Sequence, residues 1–166
     1  DLGYATGAAV SAEVLAKRTG IAAGFDLYDA PAPFSAAASG RPGAAQTAER
    51  PGGETVEAAL RFLDGVGSQP FFLFVHLYEP HAPYRPPAAM LARYPDPYDG
   101  EIAAADDLVG RLLGELDRRG LYEPALVVLL SDHGEGLGDH GEDEHGLLLY
   151  REAIQVPLVT KLPSGQ

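Results

Sequence analysis

Residues 126–146, LVVLLSDHGEGLGDHGEDEHG, gather six carboxylates and three imidazoles, with no lysine or arginine before Arg151. An apolar run ends abruptly there in Ser131-Asp132-His133-Gly134. Asp132 and His133 set a carboxylate oxygen beside an imidazole nitrogen, a donor pair suited to a divalent cation. Gly134 lets the backbone turn sharply behind them without a Cβ clash. A cation would also offset repulsion among Glu135, Asp139, Glu142, Asp143 and Glu144, five acids expected otherwise to form a solvated loop. The spacing is neither that of an EF-hand loop nor that of an H-E-x-x-H helix.

A second cluster, YEPHAPYRPP, occupies residues 78–87. His81 lies between Pro80 and Pro83 and has little freedom, so it can present a fixed imidazole to an anion. His145, just before Gly146, is a further candidate anion contact. His76 falls inside an apolar run and reads as a core histidine bonded to backbone. His140 reads as structural or solvent-facing, and Asp106 and Asp107 as the wet face of a helix.

These clusters need strands to carry them. PFFLFVHL (70–77) and ALVVLLS (125–131) are nearly continuous apolar runs, the pattern of strands buried on both faces of a parallel sheet. YATGAAVSA (4–12) reads as a strand running into a helix, with Ser11 as its N-cap and Gly20 closing it. GETVEAALRFLDG (53–65) spaces Val56, Ala59, Leu60 and Leu63 as one face of a helix. Residues 98–120 do the same with Ile102, Ala105, Val109, Leu112, Leu113 and Leu116, stopping at Gly120. LLLYREAI is expected as a short helix and VPLVTKL as a last strand. Residues 24–53, rich in Ala, Pro, Gly and Ser, read as a long, poorly ordered loop. Strands alternating with helices imply an α/β domain with a mostly parallel sheet flanked by helices, and ligands bind at the carboxyl ends of such strands. Both clusters follow strand ends, and if the two strands run parallel the clusters lie at the same edge of the sheet, where they can form a joint site.

The chain has 166 residues and a net charge of −12 with a pI near 4.6, which disfavours a nucleic-acid partner. It has no cysteine, hence no disulfide, thiolate ligand or cysteine nucleophile. No run is apolar enough for a membrane span, and no basic leader is visible. The sequence does not begin with Met, and the expectation is one partial domain over 1–166, an internal piece of something longer.

The three ordered blocks PFFLFVHLYEPHAPYRPP, YDGEIAAADDLVGRLLGELDRRGL and LVVLLSDHGEGLGDHGEDEHGLLLYREAIQVPLV resemble sulfatases of the alkaline phosphatase superfamily. The first is similar to that family's PFF…PH.PY.PP signature and the last to its SDHGE.LG.HG…HG..LY.E…VPL signature. YATGAAVSAEVLAKRTGIAAGFDLYD is similar to the stretch after the active-site region of many bacterial members. The resemblance implies that Asp132 and His133 are ligands of one divalent cation, calcium first, with magnesium, manganese or zinc as alternatives. It makes His81 a contact to sulfate or phosphate oxygens. It also places His145 where the family carries a basic group, a lysine in some members, that steadies the leaving oxygen.

The family's nucleophile is a formylglycine made from Cys or Ser followed by x-Pro-x-Arg, or a Thr or Ser in phospho-ester relatives. Neither that motif nor the paired N-terminal aspartates is present. Ser39-Gly40-Arg41-Pro42 has Arg and Pro in the wrong order, and DLGYATG contributes only Asp1. The resemblance thus implies part of a sulfate ester hydrolase that is inactive alone, its formylglycine lying upstream, in an extracytoplasmic or periplasmic setting. The alternatives are a phosphodiesterase, phosphonate hydrolase or phosphotransferase of the same superfamily, and a non-catalytic calcium-binding module or pseudoenzyme.

Overall fold

The computed structural model describes residues 2–31 and 49–164. The chain divides into two compact units, Asp1–Leu112 and Leu113–Gln166. In the first unit β1 (Ala5–Val10) lies between β2 (Leu27–Asp29) and β3 (Phe71–His76), and both pairings are parallel. The register sets Ala5 opposite Phe71 and Val10 opposite His76, so the carboxyl ends of the strands are level. The fold is α/β, a parallel sheet with flanking helices, as the alternation of elements requires.

Small residues make β1 the centre. Ala8 and Val10 point to one face and pack with Tyr28, Leu15 and Phe25. Ala9 points to the other and packs with Ala58, Ala59, Leu73 and Val75. Helix α1 (Gly52–Val66) covers that second face with Ala58 and Ala59 and sets Phe62 over Gly7, while Val56 and Leu63 are buried as their spacing predicts. Gly7 is required there, because a Cβ would stand 2.5 Å from the Phe62 ring. Burying Phe62 and Leu63 contributes roughly 1.5–3 kcal/mol each.

Several expectations are corrected. β1 does not run into a helix capped by Ser11. Two single 3-10 turns follow, Glu13–Leu15 and Lys17–Thr19, the second closed by Gly20 at φ 86°. Ser11 is fully buried instead, its hydroxyl 2.7 Å from that of Thr55. The segment 24–53 is not one loop: β2 lies within it, and α1 begins at Gly52. The poorly ordered part expected there, with Ser39-Gly40-Arg41-Pro42, falls in residues 32–48, outside the described residues. β3 is not buried on both faces, since Phe72 and Phe74 are exposed while Leu73 and Val75 meet α1.

Next in the chain come α2 (Ala88–Leu91) and α3 (Pro97–Arg118). Helix α3 ends before Gly120, at φ 69°, with Leu116 buried and Asp106 and Asp107 exposed. Ile102, expected on its inner face, is exposed. In its last turns Glu115 accepts hydrogen bonds from Arg118 at 2.8 Å and Arg119 at 2.7 Å, which hold its carboxyl down to about 2. A depressed carboxylate stabilises the fold above its ordinary value of 4.5 and loses that contribution as pH falls toward 2. An NMR titration of the Glu115 side-chain carbon is expected to show a midpoint near 2. A midpoint near 4.5 would remove the pairing.

In the second unit β4 (Val127–Leu130) pairs with β5 (Leu158–Lys161), and the pairing is antiparallel. β4 was expected as a second buried parallel strand. Its Val128, Leu129 and Leu130 are exposed, and it shares no sheet with β3 among the described residues. The expected helix over LLLYREAI is a single turn, α4 (Arg151–Ile154). Lys161 closes the unit, its ammonium donating to the carbonyls of Tyr122 and Glu123 at 2.6 Å each and lying 4.7 Å from the Tyr122 ring centroid. No helix among the described residues is long and apolar enough to cross a membrane.

Candidate functional site

Four short interactions shape the turn after β4. Ser131 Oγ donates to the His133 carbonyl at 2.6 Å, tightening the chain as it leaves the strand. The Gly134 N–H then donates to the Ala153 carbonyl of α4 at 2.8 Å. At Gly134 there is room only for hydrogen, because a Cβ would stand 1.9 Å from the Glu152 carbonyl oxygen. Two further backbone bonds, Gly136 to Glu144 at 2.7 Å and Gly138 to Glu142 at 2.9 Å, fold residues 135–144 back on themselves.

This turn orients the imidazoles. His133 Nδ1 lies 2.8 Å from the Gly134 carbonyl, which can only accept, so Nδ1 carries the proton. In the neutral ring Nε2 therefore bears the lone pair, and it stands 3.7 Å from Asp132 Oδ1. Two ligands of one calcium ion, each at 2.3–2.6 Å, stand about that far apart. The pair fits part of a divalent-cation site: a hard carboxylate that is largely exposed, and an imidazole fixed in the ligating tautomer. Among the described residues no group of three His, Cys, Asp or Glu side chains could hold a metal ion.

His145 stacks on His133 with ring centroids 3.7 Å apart, so the structure brings together Asp132, His133 and His145. Behind His145, the Glu135 carboxylate accepts from Nδ1 at 3.0 Å. Glu135 is buried. A carboxylate there fixes the orientation of the ring and places the proton of that bond on Nδ1.

Two of the five acids read as solvated are thus interior. Glu142 is the other, buried with its carboxylate oxygens accepting from the N–H groups of Leu147 at 2.7 Å and Leu148 at 3.0 Å. Asp139, Asp143 and Glu144 are exposed. His140 ties its 3-10 turn, Asp139–Gly141, to α4: its Nδ1–H donates to Glu152 and its ring stacks on Tyr150 at 3.8 Å. That is the structural role expected of it.

His81 belongs to the first unit, on the proline-rich loop that leaves the carboxyl end of β3. Its Nδ1–H donates to the Ala82 carbonyl at 2.7 Å, and its ring stacks on Tyr78 with centroids 4.2 Å apart. Its Nε2 lies 3.3 Å from the Tyr78 hydroxyl, so an anion meeting that nitrogen would share or displace the tyrosine contact. Carboxylates gather nearby. Glu79 accepts from the Gly52 N–H at the start of α1 at 2.8 Å, while its other oxygen, Oε2, is buried without a hydrogen-bond partner. Glu49 has its carboxyl pushed up chiefly by burial, with His81 and Arg85 opposing and Glu101 and Glu79 adding to the rise. The pocket lined by Met90, Tyr94, Ile102 and Asp106 contains none of the candidate residues.

Sequence reasoning missed Glu101, Glu135 and Glu142. Each is a buried acid whose partner is a backbone N–H or an imidazole between five and twenty residues away, and neighbouring residue types carry no sign of that.

Comparison with known proteins gives the frame for this geometry. The chain is 29% identical to the multifunctional alkaline phosphatase superfamily protein PehA of Trinickia caryophylli, matching 63% of this chain and 31% of that protein. It is 25% identical to the iduronate 2-sulfatase of Homo sapiens, matching 68% of this chain and 30% of that enzyme. It therefore spans about a third of the length of these relatives. A solved structure of an alkaline phosphatase superfamily protein from Vibrio parahaemolyticus shares the fold at a TM-score of 0.65 and 17% identity, covering 98% of this chain and 39% of that one. The sequence model of the Sulfatase family matches residues 3–166, which include both the His81 loop and the Asp132-His133 turn, and the chain belongs to that family.

Proposed function

We propose that this chain carries part of the active centre of a sulfuric ester hydrolase. Asp132 and His133 hold one divalent cation, calcium first, and His81 and His145 meet the ester. The observation that carries the reading is the His133 ring. The Gly134 carbonyl fixes its tautomer, so that the Nε2 lone pair and the Asp132 carboxylate form a donor pair 3.7 Å apart. Family membership favours a sulfate ester over other substrates of the superfamily. The relative named iduronate 2-sulfatase accords with that choice.

In this reading each residue has a separate task. Asp132 and His133 bind and orient, and the cation they hold supplies positive charge against the ester oxygens. His81, clamped in its loop, meets a non-bridging oxygen through its imidazole. His145, held by Glu135, offers a proton to the departing oxygen or takes up its charge. The nucleophile is not among the residues of this chain, which has no cysteine for conversion to formylglycine and no Ser followed by x-Pro-x-Arg. By itself the chain therefore binds without turning over.

Calorimetric titration of calcium into the full chain tests this. Saturable binding is expected, weakened at least tenfold by either Asp132→Asn or His133→Ala, since even residues behind metal ligands contribute 10–100-fold. Asp143→Ala, on an exposed acid of the same loop, is expected to leave the affinity unchanged. Equal losses in all three variants would make this an unspecific acidic loop, and unchanged affinity in the first two would end the reading.

A further inference from the structure

We infer that Glu101 is a positioning residue for His81, holding the proline-rich loop in the shape that presents its imidazole. The inference rests on the reading of His81 as the anion contact.

Glu101 lies in α3 and is only 6% exposed. Its Oε2 accepts from the His81 N–H at 3.1 Å and its Oε1 from the Arg85 N–H. One carboxylate thus spans both ends of the segment His81–Arg85. The same stretch of α3 lies against the loop at two further points. Gly100 admits Pro86, which would stand 2.8 Å from a Cβ there, and Tyr84 meets Tyr98 edge-on with centroids 5.3 Å apart. A loop with that proline content cannot make a regular ladder of its own, so its few N–H groups need partners from outside it. Glu101 supplies two.

The choice of a charged group carries information. A carboxylate near an anion site repels the anion, and a buried one loses its hydration, so on electrostatic grounds it is the wrong residue here. Glu49 and Glu79 already make the surroundings acidic. What a carboxylate offers in return is two strong acceptors on one rigid fork, matching two backbone donors at once. Geometry and charge therefore predict opposite signs for Glu101→Gln. Gln keeps the shape and removes the negative charge, but its NH2 group faces one of the two N–H donors and leaves that donor unpaired. A nearby anion with no positioning role would, on becoming Gln, tighten anion binding. A clamp would loosen it.

The experiment is a titration of inorganic sulfate into the full chain with calcium present, on wild type, Glu101→Gln, His81→Ala and the double variant, with amide hydrogen exchange read in parallel. For Glu101→Gln, sulfate affinity is expected to fall about tenfold, and exchange at the N–H of His81 or Arg85 to speed up about tenfold or more. In the His81→Ala background, Glu101→Gln is expected to add no further loss of sulfate affinity. Tighter binding by Glu101→Gln, or unchanged binding while His81→Ala weakens it, would overturn the inference and leave the anion reading standing. Unchanged binding by His81→Ala would remove the anion reading and the inference with it. If Glu101→Gln does not fold, exchange in the wild type decides: unprotected amides at His81 and Arg85 would refute the clamp.

Discussion

Gly134→Ala is expected to destabilise the second unit by more than about 3 kcal/mol, beyond the 1–3 kcal/mol usual for an overpacked position. A Cβ at residue 134 would stand 1.9 Å from the Glu152 carbonyl oxygen and 3.0 Å from its carbon. Both are backbone atoms, so no side-chain rotation relieves the overlap. Moving either strand of the contact breaks the 2.8 Å bond from the Gly134 N–H to the Ala153 carbonyl. That bond also anchors Gly134, whose own carbonyl oxygen in the next peptide fixes the His133 ring, so calcium affinity is expected to fall with stability. Urea unfolding followed by tyrosine fluorescence is the measurement. Gly114→Ala is the control: nothing lies within 4 Å of its Cβ position in α3, and it is expected to gain up to about 1 kcal/mol. A Gly134→Ala protein as stable as wild type would refute the close approach of the turn to α4.

The second large effect is expected at Glu142. Removing its carboxylate with Glu142→Ala leaves the N–H groups of Leu147 and Leu148 without their acceptor, and a hydrogen bond to a charged group contributes roughly 1.5–3 kcal/mol. Because the two bonds share one side chain they do not simply add, and a loss of about 2–4 kcal/mol is expected. Asp143, the next acid along, is exposed, and Asp143→Ala is expected to change stability by no more than about 0.5 kcal/mol. Thermal melts of the two variants decide between an interior anchor and a solvated acid. Equal, small effects would return Glu142 to the solvated loop.

That pair of neighbouring acids also marks where sequence reasoning stops. Periodicity located α1 within a residue or two of Gly52–Val66, because burying Val56, Ala59 and Leu63 needs a helical spacing that leaves a mark in the chain. It located α3 for the same reason. β3 and β4 were legible as strands from their branched and aromatic residues, but an apolar run looks alike whether its neighbour is parallel or antiparallel. The antiparallel β4–β5 pair was therefore hidden, and so were the exposed faces of Phe72 and Val128. For the candidate site, residue types pointed to Asp132, His133, His81 and His145. What holds them in place was invisible: a carbonyl of Gly134, a carboxylate of Glu135, and the fork of Glu101 are contacts to backbone or across ten or more residues.

The two carboxylate clamps have a consequence for how substrate choice can change. Glu101 and Glu142 occupy loop N–H groups of the kind that other proteins turn toward bound oxyanions. Here an internal anion has taken those four donors, so in the proposed reading the ester is met at these loops by side chains. Backbone recognition is shared by every residue type and resists alteration, whereas an imidazole can be exchanged by one codon. A scaffold with its main-chain donors already committed can thus drift between related esters by replacing a few surface-facing side chains, while the loops that carry them keep their shape.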